Sequence, residues 1–84
     1  MVERAENKEE YKDVSFILGL KVTPGKENDI RAKAETMPEV FRSFKSLGQF
    51  DVILLIKGTE DADALMKTLR NTQYILDVYL IDLE

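Results

Sequence analysis

The spacing of the apolar residues switches twice from an alternating pattern to a helical one along this chain, and that order leaves few folds open. Between Val14 and Val22, every second residue is apolar. Alternation with β-branched and aromatic residues is typical of a β-strand, because successive side chains point to opposite faces. A first strand is therefore predicted at 14–22. One face carries Val14, Phe16, Leu18, Leu20 and Val22, and the other carries Ser15, Ile17, Gly19 and Lys21.

A helical pattern follows this strand. The segment 23–25 contains a proline and a glycine, which end a strand because proline lacks the N–H donor and glycine tolerates unusual backbone angles. In the next stretch, rich in lysine, glutamate and alanine, Ile30, Ala34 and Met37 recur at helical spacing. The sequence therefore predicts an amphipathic helix from Lys26 to about Thr36.

Two strands joined by a short turn are predicted next. The second strand spans about Glu39 to Leu47 and has a mixed pattern that is typical of a sheet edge. After the turn at Gly48 and Gln49, a third strand is predicted from Phe50 to Lys57. This strand is apolar on both faces, with Phe50, Val52, Leu54 and Ile56 on one side and Ile53 and Leu55 on the other.

The last third of the chain repeats the change from helix to strand. Thr59 is a predicted N-cap for a helix that ends near Asn71, and acidic residues in its first turn complement the helix dipole. A fourth strand is predicted from Tyr74 or Ile75 to Leu83. Its two faces carry Leu76, Val78 and Leu80 on one side and Ile75, Tyr79, Ile81 and Leu83 on the other.

The resulting order, βαββαβ, is typical of an α+β ferredoxin-like sandwich, in which an antiparallel four-stranded sheet carries both helices on one face. The 84 residues suffice for one domain, predicted at 14–84. Residues 1–13 are mostly charged and are expected to form a flexible tail.

The second face of such a sheet requires its own cover. The pattern directs to it a set of apolar side chains whose exposure would exceed what soluble monomers usually tolerate. Packing against a second copy, sheet to sheet, is the simplest solution, so a homodimer is predicted. The predicted interface consists of Ile17, Ile53, Leu55, Tyr79 and Ile81.

Charge, apolar run length and cysteine content argue against nucleic-acid binding, a membrane span and secretion. The net charge is −4 and the basic residues are scattered, which argues against direct nucleic-acid binding. The longest apolar run, Val52 to Ile56, is too short to cross a membrane. The chain has no cysteine and no apolar signal segment, so a cytoplasmic location is expected.

Candidate chemistry is sparse. With neither histidine nor cysteine, no nucleophile with an adjacent base stands out, so the chain is predicted not to be an enzyme and to use no cofactor or metal. The fold also serves small dimeric monooxygenases and isomerases, which keeps an enzyme as an alternative.

Four segments carry a family resemblance. They are Val22-Thr23-Pro24-Gly25-Lys26, Met37-Pro38-Glu39-Val40, Leu47-Gly48-Gln49-Phe50-Asp51 and the closing strand from Val78 to Leu83. With these segments at this spacing, the chain resembles the C-terminal effector-binding RAM domain of the Lrp/AsnC family of feast/famine regulators. The most diagnostic piece is the Gly-x-x-Asp unit that starts at Gly48.

The resemblance implies a ligand and an assembly. Such domains form dimers that associate further, often into rings of eight, and bind amino acids in clefts between dimers. It therefore implies an amino-acid effector, an octamer-like oligomer, and a ligand site at Gly48, Gln49, Phe50 and Asp51. There Gly48 would admit a close backbone approach, and Asp51 would accept from an α-ammonium group. The turn Asn71-Thr72-Gln73 is a second candidate for ligand contacts.

Two questions stay open at this point. Gly48 and Asp51 also have a structural interpretation, in which the glycine supplies a positive φ and the aspartate binds local backbone amides. An ACT-like amino-acid sensor shares the fold, but places its ligand where sheets join side by side. Family regulators carry an N-terminal helix-turn-helix, for which residues 1–13 are too few. A stand-alone or an excised effector domain is therefore expected, which acts through a DNA-binding Lrp/AsnC paralogue or through sequestration of its ligand.

Overall fold

A computed structural model describes residues 14–81 and confirms the predicted order of strands and helices. The elements are β1 Phe16–Val22, α1 Glu27–Ala34, β2 Val40–Lys45, β3 Val52–Ile56, α2 Ala62–Arg70 and β4 Ile75–Ile81. The predicted tail at 1–13 and the end of the predicted fourth strand, 82–84, lie outside the described residues.

The strands form one antiparallel sheet in the order β2-β3-β1-β4. Helix α1 packs on β2 and β3, and helix α2 packs on β4, so the helices share one face of the sheet. This arrangement confirms the ferredoxin-like α+β fold.

The core lies between the sheet and the helices. It follows directly from the alternation in the strands, because every second side chain points to the helices. Ile30 of α1 and Leu69 of α2 close it from above. The fully buried side chains are Leu18, Leu20, Val52, Leu54, Ile56 and Val78.

The predicted cap of the second helix was wrong by two residues. Asp61, and not Thr59, is the N-cap, and its carboxylate accepts a hydrogen bond from the Ala64 N–H at 3.0 Å. The Thr59 hydroxyl instead accepts from the Asp61 N–H at 3.2 Å. Both residue types can cap, and only the path of the chain after β3 decides which one does.

A register shift in β1 corrects one face assignment. Between Lys21 and Val22 the pairing with β4 shifts, so that Ile75 lies opposite Val22. Ile75 is therefore buried on the helix-covered face, and the prediction that it shares a face with Tyr79 was wrong. Leu76 next to it is 66% exposed, although it was predicted on the same face as the buried Val78.

The connection between β2 and β3 is longer than the predicted two-residue turn. It spans residues 46–51 and contains a bend at Asp51. The bend interrupts the alternation. Phe50 was predicted to share the face of Val52 and Leu54, and this prediction was wrong. Its ring lies on the opposite side of the sheet, over Gly19.

Candidate functional site

The helix-free side of the sheet, here called the open face, brings together the five residues predicted as an interface. Ile17 lies opposite both Leu55 and Ile81, and Gly19 between them lies opposite both Ile53 and Tyr79. The five side chains therefore share one face across three neighbouring strands.

Two aromatic residues that the sequence analysis did not assign to this face extend it. Phe44 lies opposite Ile53 and is 41% exposed, close to the 43% exposure of Tyr79. Phe50 contributes a second ring, because the bend at Asp51 places it on this side of the sheet. The alternation in β2 was too weak to assign Phe44 to a face, because an extra residue in β2 shifts its register after Val40.

Gly19 allows Phe50 to lie directly on the sheet. A Cβ atom added to Gly19 would lie 2.6 Å from Cγ of the Phe50 ring, closer than real contacts permit. The Phe50 ring also packs against the Tyr79 ring, with centroids 5.6 Å apart. The glycine is thus required by a close approach, and the two rings form a tilted aromatic pair in the middle of the open face.

The turn at Gly48–Asp51 is anchored to the end of β1. The Asp51 N–H donates to the Leu20 carbonyl at 2.8 Å, and the Val22 N–H donates to Oδ2 of Asp51 at 2.8 Å. Lys21 adds a bond from its ammonium to the Gln49 carbonyl at 2.5 Å. Asp51 therefore holds local backbone, as its structural interpretation expects.

Gly48 has no conformational reason to be glycine. The described glycines with a positive φ are Gly25 and Gly58, so the expectation of a positive φ at Gly48 was wrong. A Cβ atom at Gly48 would meet nothing within 4 Å. The backbone at this position is exposed and open to an approaching molecule.

The second predicted turn, Asn71–Gln73, lies at the same end of the sheet. The Thr23 N–H donates to the Tyr74 carbonyl, beside this turn, at 2.9 Å. The preceding residue, Val22, is bonded to Asp51 of the first turn. Asn71 and Thr72 each donate a side-chain hydrogen bond to a carbonyl of α2, at 3.1 and 3.0 Å. These donors close the helix end.

Tyr74, beside this turn, was not predicted as a site residue. Its φ is +75°, a left-handed conformation that costs a non-glycine residue on the order of 1–2 kcal/mol. The Lys26 ammonium lies 4.7 Å from the centre of its ring. No local signal distinguishes this tyrosine in the sequence, and its carbonyl accepts the hydrogen bond from the distant Thr23 N–H.

An arginine from α2 closes the outer edge of the sheet at β4. Arg70 donates from Nη2 to the Val78 carbonyl at 2.8 Å and from Nε to Oδ1 of Asp77 at 3.3 Å. The Val78 N–H donates to the same carboxylate oxygen at 2.8 Å. The backbone groups of Val78 are thus occupied and unavailable to another strand.

At the opposite edge, in β2, an arginine also binds a backbone carbonyl. Arg31 of α1 donates to the Ser43 carbonyl at 3.2 Å and to the Ser43 hydroxyl at 3.1 Å. The hydroxyl donates in turn to Glu35 at 2.5 Å. Ser43 is buried within this cluster, so the hydrogen bonds satisfy a polar group that would otherwise be costly.

Hydrogen bonds at the β4 edge also shift the pKa values of two side chains. Hydrogen bonds from the Val78 N–H, the Tyr79 hydroxyl and Arg70 lower the pKa of Asp77. The same bond to Asp77 raises the pKa of Tyr79. A carboxyl whose pKa is lower in the folded state stabilises the fold above its unfolded pKa, and this stabilisation is lost as the pH falls through the folded value.

We predict that Asp77→Asn flattens the acid limb of the stability profile. The parent melting temperature should fall as the pH drops below about 4, in part because Asp77 becomes protonated. Thermal melts between about pH 6 and pH 2.5 measure this, with Glu60→Gln as a control that removes an exposed carboxylate elsewhere. An acid limb in Asp77→Asn as steep as in the parent chain would contradict the prediction.

Residues 14–81 were also searched for metal sites and for membrane-spanning helices. Within this range, no group of three or more acidic, histidine or cysteine side chains is placed to hold a metal ion. Neither described helix is long and apolar enough to cross a membrane.

Comparison with solved structures identifies the same fold elsewhere. The crystal structure of FFRP-DM1 matches with a TM-score of 0.72 at 22% identity, covering 81% of this chain and 95% of that one. The crystal structure of hypothetical protein PHS023 from Pyrococcus horikoshii matches with a TM-score of 0.65 at 23% identity, covering 81% and 88%. No family model and no curated protein matches the chain. At these identities the likeness shows a shared fold.

Proposed function

We propose that this chain is an effector-sensing and oligomerisation domain of the Lrp/AsnC feast/famine type, with an amino acid as its ligand. The observation that carries the proposal is the likeness to FFRP-DM1, a feast/famine regulatory protein domain, over 95% of that chain. The Gly-x-x-Asp unit at Gly48 lies in an exposed turn, where such a role requires it.

Self-association is the first part of this proposal. A homodimer packed through the open face would cover Phe44 and Tyr79, which are 41% and 43% exposed, and the exposed parts of Ile17, Ile53 and Ile81. Leu55, also predicted in the interface, is already buried in the single chain. Each partly buried side chain contributes less than the roughly 1.5–3 kcal/mol gained when a fully exposed one is buried. Further association of dimers, as in an octamer, is part of the same hypothesis. An arginine holds one carbonyl on each edge strand, that of Ser43 or Val78, and this hinders pairing with another sheet at these two residues, which counts against the ACT-like alternative.

Amino-acid binding at Gly48–Asp51 is the second part. A free amino acid carries an ammonium and a carboxylate on one carbon, and this turn presents both complementary charges. Asp51 can accept from the ammonium, and Lys21, bonded to the carbonyl of Gln49, lies beside the turn as a cation for the carboxylate. The open space at Gly48 leaves room for the ligand backbone.

The route to gene regulation is the third part. We propose that the domain acts in the cytoplasm through a DNA-binding Lrp/AsnC paralogue. A net charge of −4 with scattered basic residues favours a protein partner over direct contact with DNA.

A thermal-shift screen against the proteinogenic amino acids tests the ligand. An amino acid present at about 100 times its dissociation constant adds about 2.7 kcal/mol to the free energy of unfolding, an increase that is readily measured. Acetate, which lacks the ammonium, and methylamine, which lacks the carboxylate, serve as control compounds. If no amino acid raises the melting temperature, the sensing proposal fails and a purely structural oligomerisation domain remains.

A further inference from the structure

We infer that Phe50 couples the turn Gly48–Asp51 to the open face, so that the state of the turn and the self-association of the domain regulate each other. The inference rests on the proposed function for the nature of the ligand and for assembly through the open face. The coupling itself is a property of the fold and can be measured without a ligand.

Phe50 belongs to both surfaces at once. Its backbone lies inside the turn, between Gln49 and Asp51, while its ring lies on Gly19 in the middle of the open face. On either side of Gly19 stand Ile53 and Tyr79, which are opposite it in the neighbouring strands. A second copy packed on this face would therefore contact the Phe50 ring.

The backbone anchors of the turn transmit its position to the ring. Asp51 is bonded through its N–H to the carbonyl of Leu20, the residue next to Gly19, and through its carboxylate to the Val22 N–H. A ligand ammonium that competes with Val22 for this carboxylate would alter the second anchor. Because Phe50 directly precedes Asp51, its ring would then move on a surface that the partner covers.

The far side of the ring packs against a second ring. The Phe50 and Tyr79 centroids lie 5.6 Å apart, and Asp77, two residues before Tyr79, is bonded to Arg70. A ring packed between Gly19 and Tyr79 has few alternative positions, and packed surfaces of this kind change between discrete arrangements. Coupling between two sites is reciprocal, so a turn that favours one ring position favours one assembly state.

A double-mutant cycle at Gly19 and Phe50 tests the coupling. Gly19→Ala places a methyl group where the Phe50 ring lies, although Gly19 is outside the turn. Phe50→Ala removes the ring, and in the double variant the methyl group has nothing to displace. Equilibrium sedimentation reports the dimer. Amide hydrogen exchange reports two N–H groups that hold the turn: that of Asp51, bonded to the Leu20 carbonyl, and that of Ser46, which donates to the Asp51 carbonyl at 2.9 Å.

In the parent chain, dilution from dimer to monomer should accelerate exchange at these two amides by at least about fivefold, the low end of typical coupling. Phe50→Ala should remove this dependence on concentration. Gly19→Ala should weaken the dimer and accelerate exchange in the turn, and it should add little to either effect in the Phe50→Ala background. Ile17→Ala, on the same face at the other end of β1, should weaken the dimer and leave the turn responsive to assembly.

Three results would overturn the inference. The first is that the turn amides of the parent chain exchange at the same rate in the dimer and in the monomer. The second is that Gly19→Ala changes dimerisation and exchange as much in the Phe50→Ala background as in the parent chain. The third is that the chain stays monomeric at every concentration. If Gly19→Ala fails to fold, the comparison of Phe50→Ala with Ile17→Ala decides alone. A turn that responds to assembly while no amino acid binds would refute the proposed ligand only, whereas amino-acid binding to a turn insensitive to assembly would refute the coupling only.

Discussion

Replacing Ile53 by lysine should convert the proposed dimer to monomers at concentrations where the parent chain self-associates. Ile53 is half-buried near the centre of the open face, opposite Gly19 on one side and Phe44 on the other. In a two-fold dimer the substitution places two ammonium groups in an apolar interface, where an unpaired buried charge costs about 3–5 kcal/mol. The dimer dissociation constant should therefore rise at least ~100-fold. Equilibrium sedimentation measures it directly.

Leu80→Lys is the matched control for this experiment. Leu80 lies opposite Leu18, on the helix-covered side of the sheet, and is 54% exposed at its rim. A lysine there should leave the dimer and the melting temperature close to those of the parent chain, because exposed positions tolerate such changes within about 0.5 kcal/mol. Dissociation by Leu80→Lys as strong as by Ile53→Lys would show that the open face is not the interface.

Substituting Asp51 by asparagine should separate its structural role from its proposed role in ligand binding. The amide oxygen of asparagine can still accept the Val22 N–H, so the free energy of unfolding should change little. The carboxylate charge is lost, and a hydrogen bond to a charged group contributes about 1.5–3 kcal/mol. The affinity for an amino acid should thus fall about 10–100-fold. Isothermal titration with the amino acid found in the thermal screen provides the measurement.

Asp51→Ala completes the comparison. It removes the acceptor as well as the charge and leaves the Val22 N–H without its partner, which costs on the order of 1–3 kcal/mol of stability in addition to the lost affinity. If Asp51→Asn bound the amino acid as tightly as the parent chain, Asp51 would be a purely structural residue. The site would then have to be sought elsewhere.

Both edge strands of the sheet carry a hydrogen bond from an arginine. An uncovered strand edge invites pairing with another chain, and on each edge here one carbonyl, that of Ser43 or Val78, is bonded to an arginine from the helix packed above. Each arginine is also paired with an acidic group, Glu35 or Asp77.

Much of the fold was predictable because the signals for it are local. Alternation marks a strand wherever it occurs, so β1 and its two faces followed from the residues between Val14 and Val22. The same reasoning placed Ile17, Ile53, Leu55, Tyr79 and Ile81 on one side of the sheet, and the register agrees.

The errors arose where two strands, or a strand and a turn, adjust to each other. Ile75 changed face because the pairing of β1 with β4 shifts at Lys21. Phe50 changed face because Asp51 bends toward the end of β1 to bond with Leu20 and Val22. Neither event leaves a mark in the local pattern, since each depends on contacts about 30 to 60 residues apart along the chain.

The sequence by itself therefore determined the order of the elements and the existence of a second apolar face, because hydrophobic period is a property of neighbouring residues. The tertiary structure decided what lies on that face and beside it. It placed the Phe50 ring on Gly19, bonded Asp51 to the end of β1, and directed Arg31 and Arg70 to the two edges. These contacts join distant segments whose relative positions are set by the packed core.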